Sequence, residues 1–151
     1  MNLEPATIVL SLQRATHRVV ALLDGAAKEG GVCPVEMNML ANLRTGEDWT
    51  VSQVGRAAGL RPSTATGVLD RLETHGFLER RPNPTDRRSV TVALTKDGER
   101  VAQKLLSAMQ VVDDQIRANT PDASLSGYHE VIGAIGALSP AGGLSGGPDA
   151  R

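Results

Sequence analysis

Residues Thr50 to Thr95 read TVSQVGRAAGLRPSTATGVLDRLETHGFLERRPNPTDRRSVTVALT, and the order of patterns within them decides the fold. Two short helical patterns come first, separated by Gly59-Leu60 and a proline. Gly76 stops the second. An apolar-plus-basic run, FLERR, follows. The turn cluster PNPTD comes next with two adjacent arginines at its end, and the alternating run SVTVALT closes the stretch. Helix, turn, helix and a two-stranded hairpin with a basic tip is the plan of a winged helix-turn-helix. In that plan one helix enters a DNA major groove and the hairpin lies against the backbone or the minor groove.

Within this stretch, Thr50 to Ala58 reads as the first helix of the pair, with Val51, Val54 and Ala57 inward. Gly59 suits the positive φ of a helix C-terminal turn. Pro62 opens the second helix, which is predicted to run to about His75 with Ala65, Val68, Leu69 and Leu72 in the core. Its other face carries Ser63, Thr66, Gly67, Asp70 and Thr74, flanked by Thr64 and Arg71. Small hydroxylated side chains allow close approach to a groove floor and bond either bases or phosphates. Such a face also suits an ordinary solvated helix, and the wing beside it decides between the two. In the wing, Phe77-Leu78 anchors the first strand, and Val90, Val92 and Leu94 alternate inward on the second. Arg87 and Arg88 sit where the tip meets that strand. One reading sends an arginine into the minor groove, where negative potential concentrates. The other pairs Asp86 with Arg88 to hold the hairpin.

Composition narrows the class. The chain has 151 residues, enough for one domain with extensions. Aromatic residues make up only 2%, so the core must be built from Leu, Val, Ile and Ala. Acids and bases nearly cancel, 17 against 16. Between Arg56 and Arg88, however, seven arginines face four acids, a local cationic excess of the kind that phosphate binding needs. Cys33 is the one cysteine, which leaves no internal disulfide and fits a reducing cytosol. No apolar run approaches the roughly 18 residues of a membrane span, and the N-terminus carries an acid with no basic lead. The expectation is a cytoplasmic protein with no membrane partner.

Outward from the centre, residues 3–29 read as a long amphipathic helix. Its stripe is Ile8, Leu12, Ala15, Val19, Leu22 and Ala26, widened by Val9, Val20 and Leu23. So wide a face is suited to burial against a second chain. Gly30-Gly31 ends it. Pro34 to Arg44 reads as a second helix with Cys33 at its N-cap. Trp49 is assigned to packing or to a short third strand beside the wing. Thr95 is the expected N-cap of the next helix, with Asp97 and Glu99 in its first turn and a stripe of Val101, Leu105, Ala108, Met109, Val112 and Ile116. NTPDAS breaks that helix. A last, glycine-weakened helix carries Leu125, Tyr128, Val131, Ile132, Ile135 and Leu138. The fold class is therefore mainly α with a small β-wing: a DNA-binding part at 34–95, dimerisation helices at 3–29 and 96–138, and a Pro/Gly-rich tail, 139–151, expected to be disordered.

These residues resemble the MarR (multiple antibiotic resistance regulator) family of transcription factors. The family's wing signature is matched by Asp86, Arg88, Val92, Leu94, Thr95 and Gly98, in register. STATGVLDRLETHGFLERR resembles its recognition-helix pattern. One departure matters: Gly67 stands where family members often carry an arginine, so a major-groove arginine contact does not transfer to that position. The resemblance implies a homodimer that binds a pseudo-palindromic operator on double-stranded DNA, as a ligand-responsive repressor whose effector is a small aromatic or lipophilic molecule. DNA contacts are expected from Arg61, Ser63, Thr64, Thr66, Arg71, Arg87 and Arg88. His17, Arg18, Met37 and Met39 are the candidate effector-pocket residues.

Two other readings stand beside this one. Cys33 at a helix N-terminus suits a redox-sensing repressor, because that position favours the thiolate; as a plain capping side chain it needs no function. A winged helix used only for protein contacts is the alternative from a different class. Catalysis is not expected. His17, His75 and His129 are isolated, no metal-ligand spacing occurs, and neither a phosphate loop nor a nucleophile elbow is present, so no cofactor is assigned.

Overall fold

A computed structural model describes residues 7–43, 47–86 and 88–138. The described chain runs α1 (Ile8–Glu29), α2 (Pro34–Asn42), β1 (Trp49–Thr50), α3 (Val51–Ala57), α4 (Pro62–Thr74), β2 (Leu78–Pro82), β3 (Val90–Leu94), α5 (Lys96–Ala118) and α6 (Asp122–Gly136). It is mainly helical with one small antiparallel sheet, the winged helix-turn-helix expected from the Thr50–Thr95 stretch. Residues 3–6 of the first expected helix, Arg87 and the tail from Ser139 lie outside the described residues. Two compact units divide the chain, one to Val112 and one from Asp113.

The core of the first unit is aliphatic, as the scarcity of aromatics requires. Met39, Leu40, Val54, Leu69, Leu72 and Val92 are wholly buried, and Leu23 and Ala27 of α1, Leu78 of β2 and Leu105 of α5 join them. All four inward residues expected on α4 are buried. In α3 the inward line is Val54 and Ala58, while Ala57 is exposed, contrary to the sequence expectation. The reason is spacing: Ala58 lies four residues from Val54 and so shares its face. On α1 the core-facing residues are Leu23 and Ala27, not the stripe through Val19 and Leu22, which are exposed.

Trp49 does form a third strand. The sheet order is β1-β3-β2, with Trp49 and Arg80 both opposite Val92. The alternation expected on β3 holds only in part. Val90 at the tip is exposed, whereas Thr91 and Ala93, on the face expected to be open, are buried. Directly opposite side chains share a face. Thr91 lies between Thr50 and Arg81, and Ala93 faces Glu79. Two small side chains are thus flanked by long charged ones, which pair with each other as Glu79–Arg81.

The turns are set by particular groups. Gly59 adopts φ 67° between α3 and α4, a conformation costly to any residue with a β-carbon. At the exit of the wing, the Thr95 N–H donates to the Phe77 carbonyl at 3.1 Å and its hydroxyl donates to the Gly76 carbonyl at 2.6 Å. The same hydroxyl oxygen accepts the Gly98 N–H at 3.1 Å, capping α5. Gly98 lies so close to this junction that an added β-carbon would stand 1.8 Å from the Phe77 oxygen. Nothing lies within 4 Å of a β-carbon added at Gly67. Gly98→Ala is therefore expected to lose about 3 kcal/mol of stability through overpacking. Gly67→Ala is expected to gain about 1 kcal/mol from helix propensity. Denaturant unfolding of the two variants checks both signs.

Candidate nucleic-acid interface

The helix-turn-helix is fastened at three points. A capping box starts α3: the Thr50 hydroxyl accepts the Gln53 N–H at 3.2 Å, and the Gln53 side-chain oxygen accepts the Thr50 N–H at 2.8 Å. The Asn38 side chain on α2 donates to the Ala58 carbonyl at 2.9 Å, which holds the start of the turn. Glu36, the third residue of α2, is 3% exposed and reaches in two directions. Its carboxylate accepts the Cys33 N–H at 3.0 Å and the Nε of Arg71 on α4 at 2.7 Å.

Burial alone would raise the Glu36 carboxyl, but the Cys33 N–H and the Arg71 guanidinium outweigh it and hold the group below its ordinary value. Arg80 on β2 makes a second clamp, pairing with both Asp70 and Glu73 of α4. Arg81 pairs with Glu79 and, at 3.7 Å, with Asp48. Sequence reasoning counted these bases toward the local cationic excess, with Arg71 among the expected DNA contacts, and missed the clamps. Glu36 had a legible signal, since it lies three residues after the N-cap Cys33. The Asp70–Glu73–Arg80 contact joins a helix to a strand and had none.

The arginines of the central stretch therefore divide. Arg71, Arg80 and Arg81 are neutralised by carboxylates. Among the described residues Arg56, Arg61 and Arg88 make no ion pair, and all three are exposed. Arg61 is the N-cap residue of α4 without a side-chain capping bond. Ser63, Thr64 and Thr66 are exposed along the first turns of that helix. The Thr66 hydroxyl donates to the Pro62 carbonyl at 3.0 Å. At the wing tip Asp86 does not pair with the Arg88 guanidinium. Its carboxylate accepts the Arg88 backbone N–H at 3.0 Å, and the Asn83 side chain donates to the Ser89 hydroxyl at 2.7 Å. The turn is held through the backbone, which leaves the Arg88 charge to solvent.

The effector candidates are not brought together. His17 and Arg18 are exposed on α1, whereas Met37 and Met39 are core residues at 4% and 0% exposure. An open depression between α1 and α5 is lined by Ala26, Glu29, Gln103, Lys104, Ser107 and Ala108, none of them a sequence candidate. Cys33 is the exposed N-cap of α2. No group of three His, Cys, Asp or Glu among the described residues could hold a metal ion, and no described helix is long and apolar enough to cross a membrane.

Glu36 yields a pH test. A carboxyl lowered in the folded state contributes stability that is present above its ordinary value of 4.5 and is lost as pH falls through the lowered one. Glu36→Gln is expected to cost about 1.5–3 kcal/mol at neutral pH, the range for hydrogen bonds to a charged group. The gap to the native chain should narrow below pH 4.5. Urea midpoints measured from neutral to acid pH check this, and a gap that stayed constant would show that the charge of Glu36 contributes nothing.

Comparison with known proteins agrees with this geometry. Residues 34–90 match the MarR family model. The HTH-type transcriptional repressor MdtR of Bacillus subtilis is 28% identical over 70% of this chain and 68% of its own length. The HTH-type transcriptional regulator PecS of Dickeya dadantii is 35% identical over 65% of this chain and 61% of its own. The crystal structure of CouR from Rhodococcus jostii RHA1 bound to p-coumaroyl-CoA superposes with a TM-score of 0.77 at 22% identity, covering 87% of this chain and 93% of that one. With its capped helix pair, its basic wing and these relatives, residues 34–90 form a winged helix-turn-helix of the MarR family of DNA-binding transcriptional regulators.

Proposed function

We propose that the protein is a homodimeric, effector-responsive repressor that sets one winged helix on each half of a pseudo-palindromic operator. The observation that carries the DNA-contact assignment is the sorting of charge. Arg61 and Arg88, exposed and free of carboxylates, stand at the start of α4 and at the wing tip, and Arg56 adds a third such charge on α3. These are assigned to phosphates and the minor groove, together with Arg87 on the strength of its place in the sequence. Ser63, Thr64 and Thr66 are assigned to base edges. Arg71, bound to Glu36, serves chiefly to hold α4.

The dimer is supported by apolar faces that each unit leaves open when taken by itself. On α1, Ile8, Val9 and Leu22 are more than half exposed. No residue of α6 is buried, and Tyr128, Ile132 and Ile135 lie open along it. Uncovered faces of this size on terminal helices mark an interaction surface. For the effector, the CouR structure carries p-coumaroyl-CoA, which supports a small aromatic or lipophilic molecule. His17 and Arg18 on α1 are the polar groups assigned to meet it.

A salt titration on duplex DNA tests the charge assignment. Arg88→Ala is expected to make the dependence of log K on log salt shallower by roughly 0.9 for each phosphate that it leaves without its cation, twice that for a dimer. Arg81→Ala, which removes a base already neutralised by Glu79, should leave the slope nearly unchanged. The opposite order would overturn the assignment. For assembly, light scattering at low micromolar concentration is expected to return twice the chain mass for the native protein and a lower mass for Ile132→Glu.

A further inference from the structure

We infer that the recognition helix reads its half-site through the 5-methyl groups of thymines, with Thr64 and Thr66 as the specificity-determining residues. This rests on the DNA-binding reading above. The surface of α4 favours this contact over paired polar ones. In the major groove, the side chains that discriminate a base by paired polar contacts are Arg or Lys on guanine, Asn or Gln on adenine, and Asp or Glu on cytosine; Ser and Thr hydroxyls bond several bases and so discriminate little, whereas the Thr methyl makes apolar contact with the thymine methyl. The helix sequence PSTATGVLDRLET contains no Lys, Asn or Gln. Its one arginine, Arg71, has its Nε on the buried Glu36. Its acids, Asp70 and Glu73, are both held by Arg80. Of the residues that discriminate by paired polar contacts, the helix therefore holds only Arg71, Asp70 and Glu73, and each is already in an ion pair.

What remains exposed is Ser63, Thr64, Thr66 and Thr74, with Gly67 half-buried between them. Thr66 and Thr74 donate their hydroxyl protons to the Pro62 and Asp70 carbonyls, at 3.0 and 2.8 Å. A threonine so engaged offers a partner its methyl group and an oxygen lone pair. Gly67 contributes no side chain, and the space around its missing β-carbon is open to 4 Å. A helix with nothing longer than threonine free on this face can lie close to the groove floor, within reach of a methyl that projects from it. Arg61 stands ahead of the first helical residue, and its charge is assigned to a phosphate.

The test uses duplexes recovered by the purified protein from a randomised pool, with deoxyuridine then substituted for thymine one position at a time. Deoxyuridine keeps the pairing and removes the methyl. Affinity is expected to fall about fourfold for each contacted methyl, and about fifteenfold when both members of a symmetric pair are removed. Thr66→Ser should weaken binding to a thymine duplex and make little further difference once the contacted thymine is deoxyuridine. The inference is overturned if no deoxyuridine substitution changes affinity. It is equally overturned if removal of a guanine N7 by 7-deazaguanine costs more, an effect that Arg61→Ala would then abolish. A pool that is bound but not enriched also overturns it and leaves DNA binding standing. A protein that binds no duplex at low salt overturns the DNA-binding reading itself.

Discussion

Much of the first unit depends on a single carbonyl group. The Phe77 oxygen accepts the Thr95 N–H and lies against the bare α-carbon of Gly98, while the Thr95 hydroxyl reaches the carbonyl one residue earlier. The end of the recognition helix, the first strand of the wing, the return strand and the start of α5 all meet there. A side chain at residue 98 would push the last two away from the first two. That requirement gives the Thr95–Gly98 pair a mechanical meaning: the hydroxyl bonds on both sides, and the glycine lets the backbones touch.

Around this junction, charge fixes geometry in some places and stays available in others. Glu36 and Arg80 each act on α4 from a neighbouring element, Glu36 from α2 and Arg80 from β2. Asp86 works through a backbone N–H and so leaves its neighbouring guanidinium unpaired. Local net charge hides this division. Half-buried Arg80 adds little to the field outside, because two carboxylates accompany it. Exposed Arg88 adds a full charge. Ion pairs between groups this exposed contribute little stability by themselves, and the value of these lies in orientation.

How much of this was legible beforehand follows from the range of the interactions. Helix ends at Gly30, Gly59 and Gly76, the caps at Cys33 and Thr95, and the four inward residues of α4 were readable, since each depends on neighbours within about four residues. Trp49 as a strand was legible from its place beside the wing. The misjudged positions had longer-range causes. Thr91 and Ala93 are buried by residues ten or more positions away in sequence, and alternation along one strand carries no information about the strands beside it. Met37 and Met39 are a different case: they are buried in the core, and methionine suits both cores and ligand sites. The Glu36–Arg71 pair spans 35 residues, beyond any local pattern.

The Arg80 clamp has a consequence for regulation. By joining wing strand β2 to two carboxylates on α4, it adds a side-chain tie between hairpin and helix beside the short chain link through Gly76 and Phe77. Under the proposed function, a signal reaching this module would be passed to helix and wing as one piece rather than to either alone.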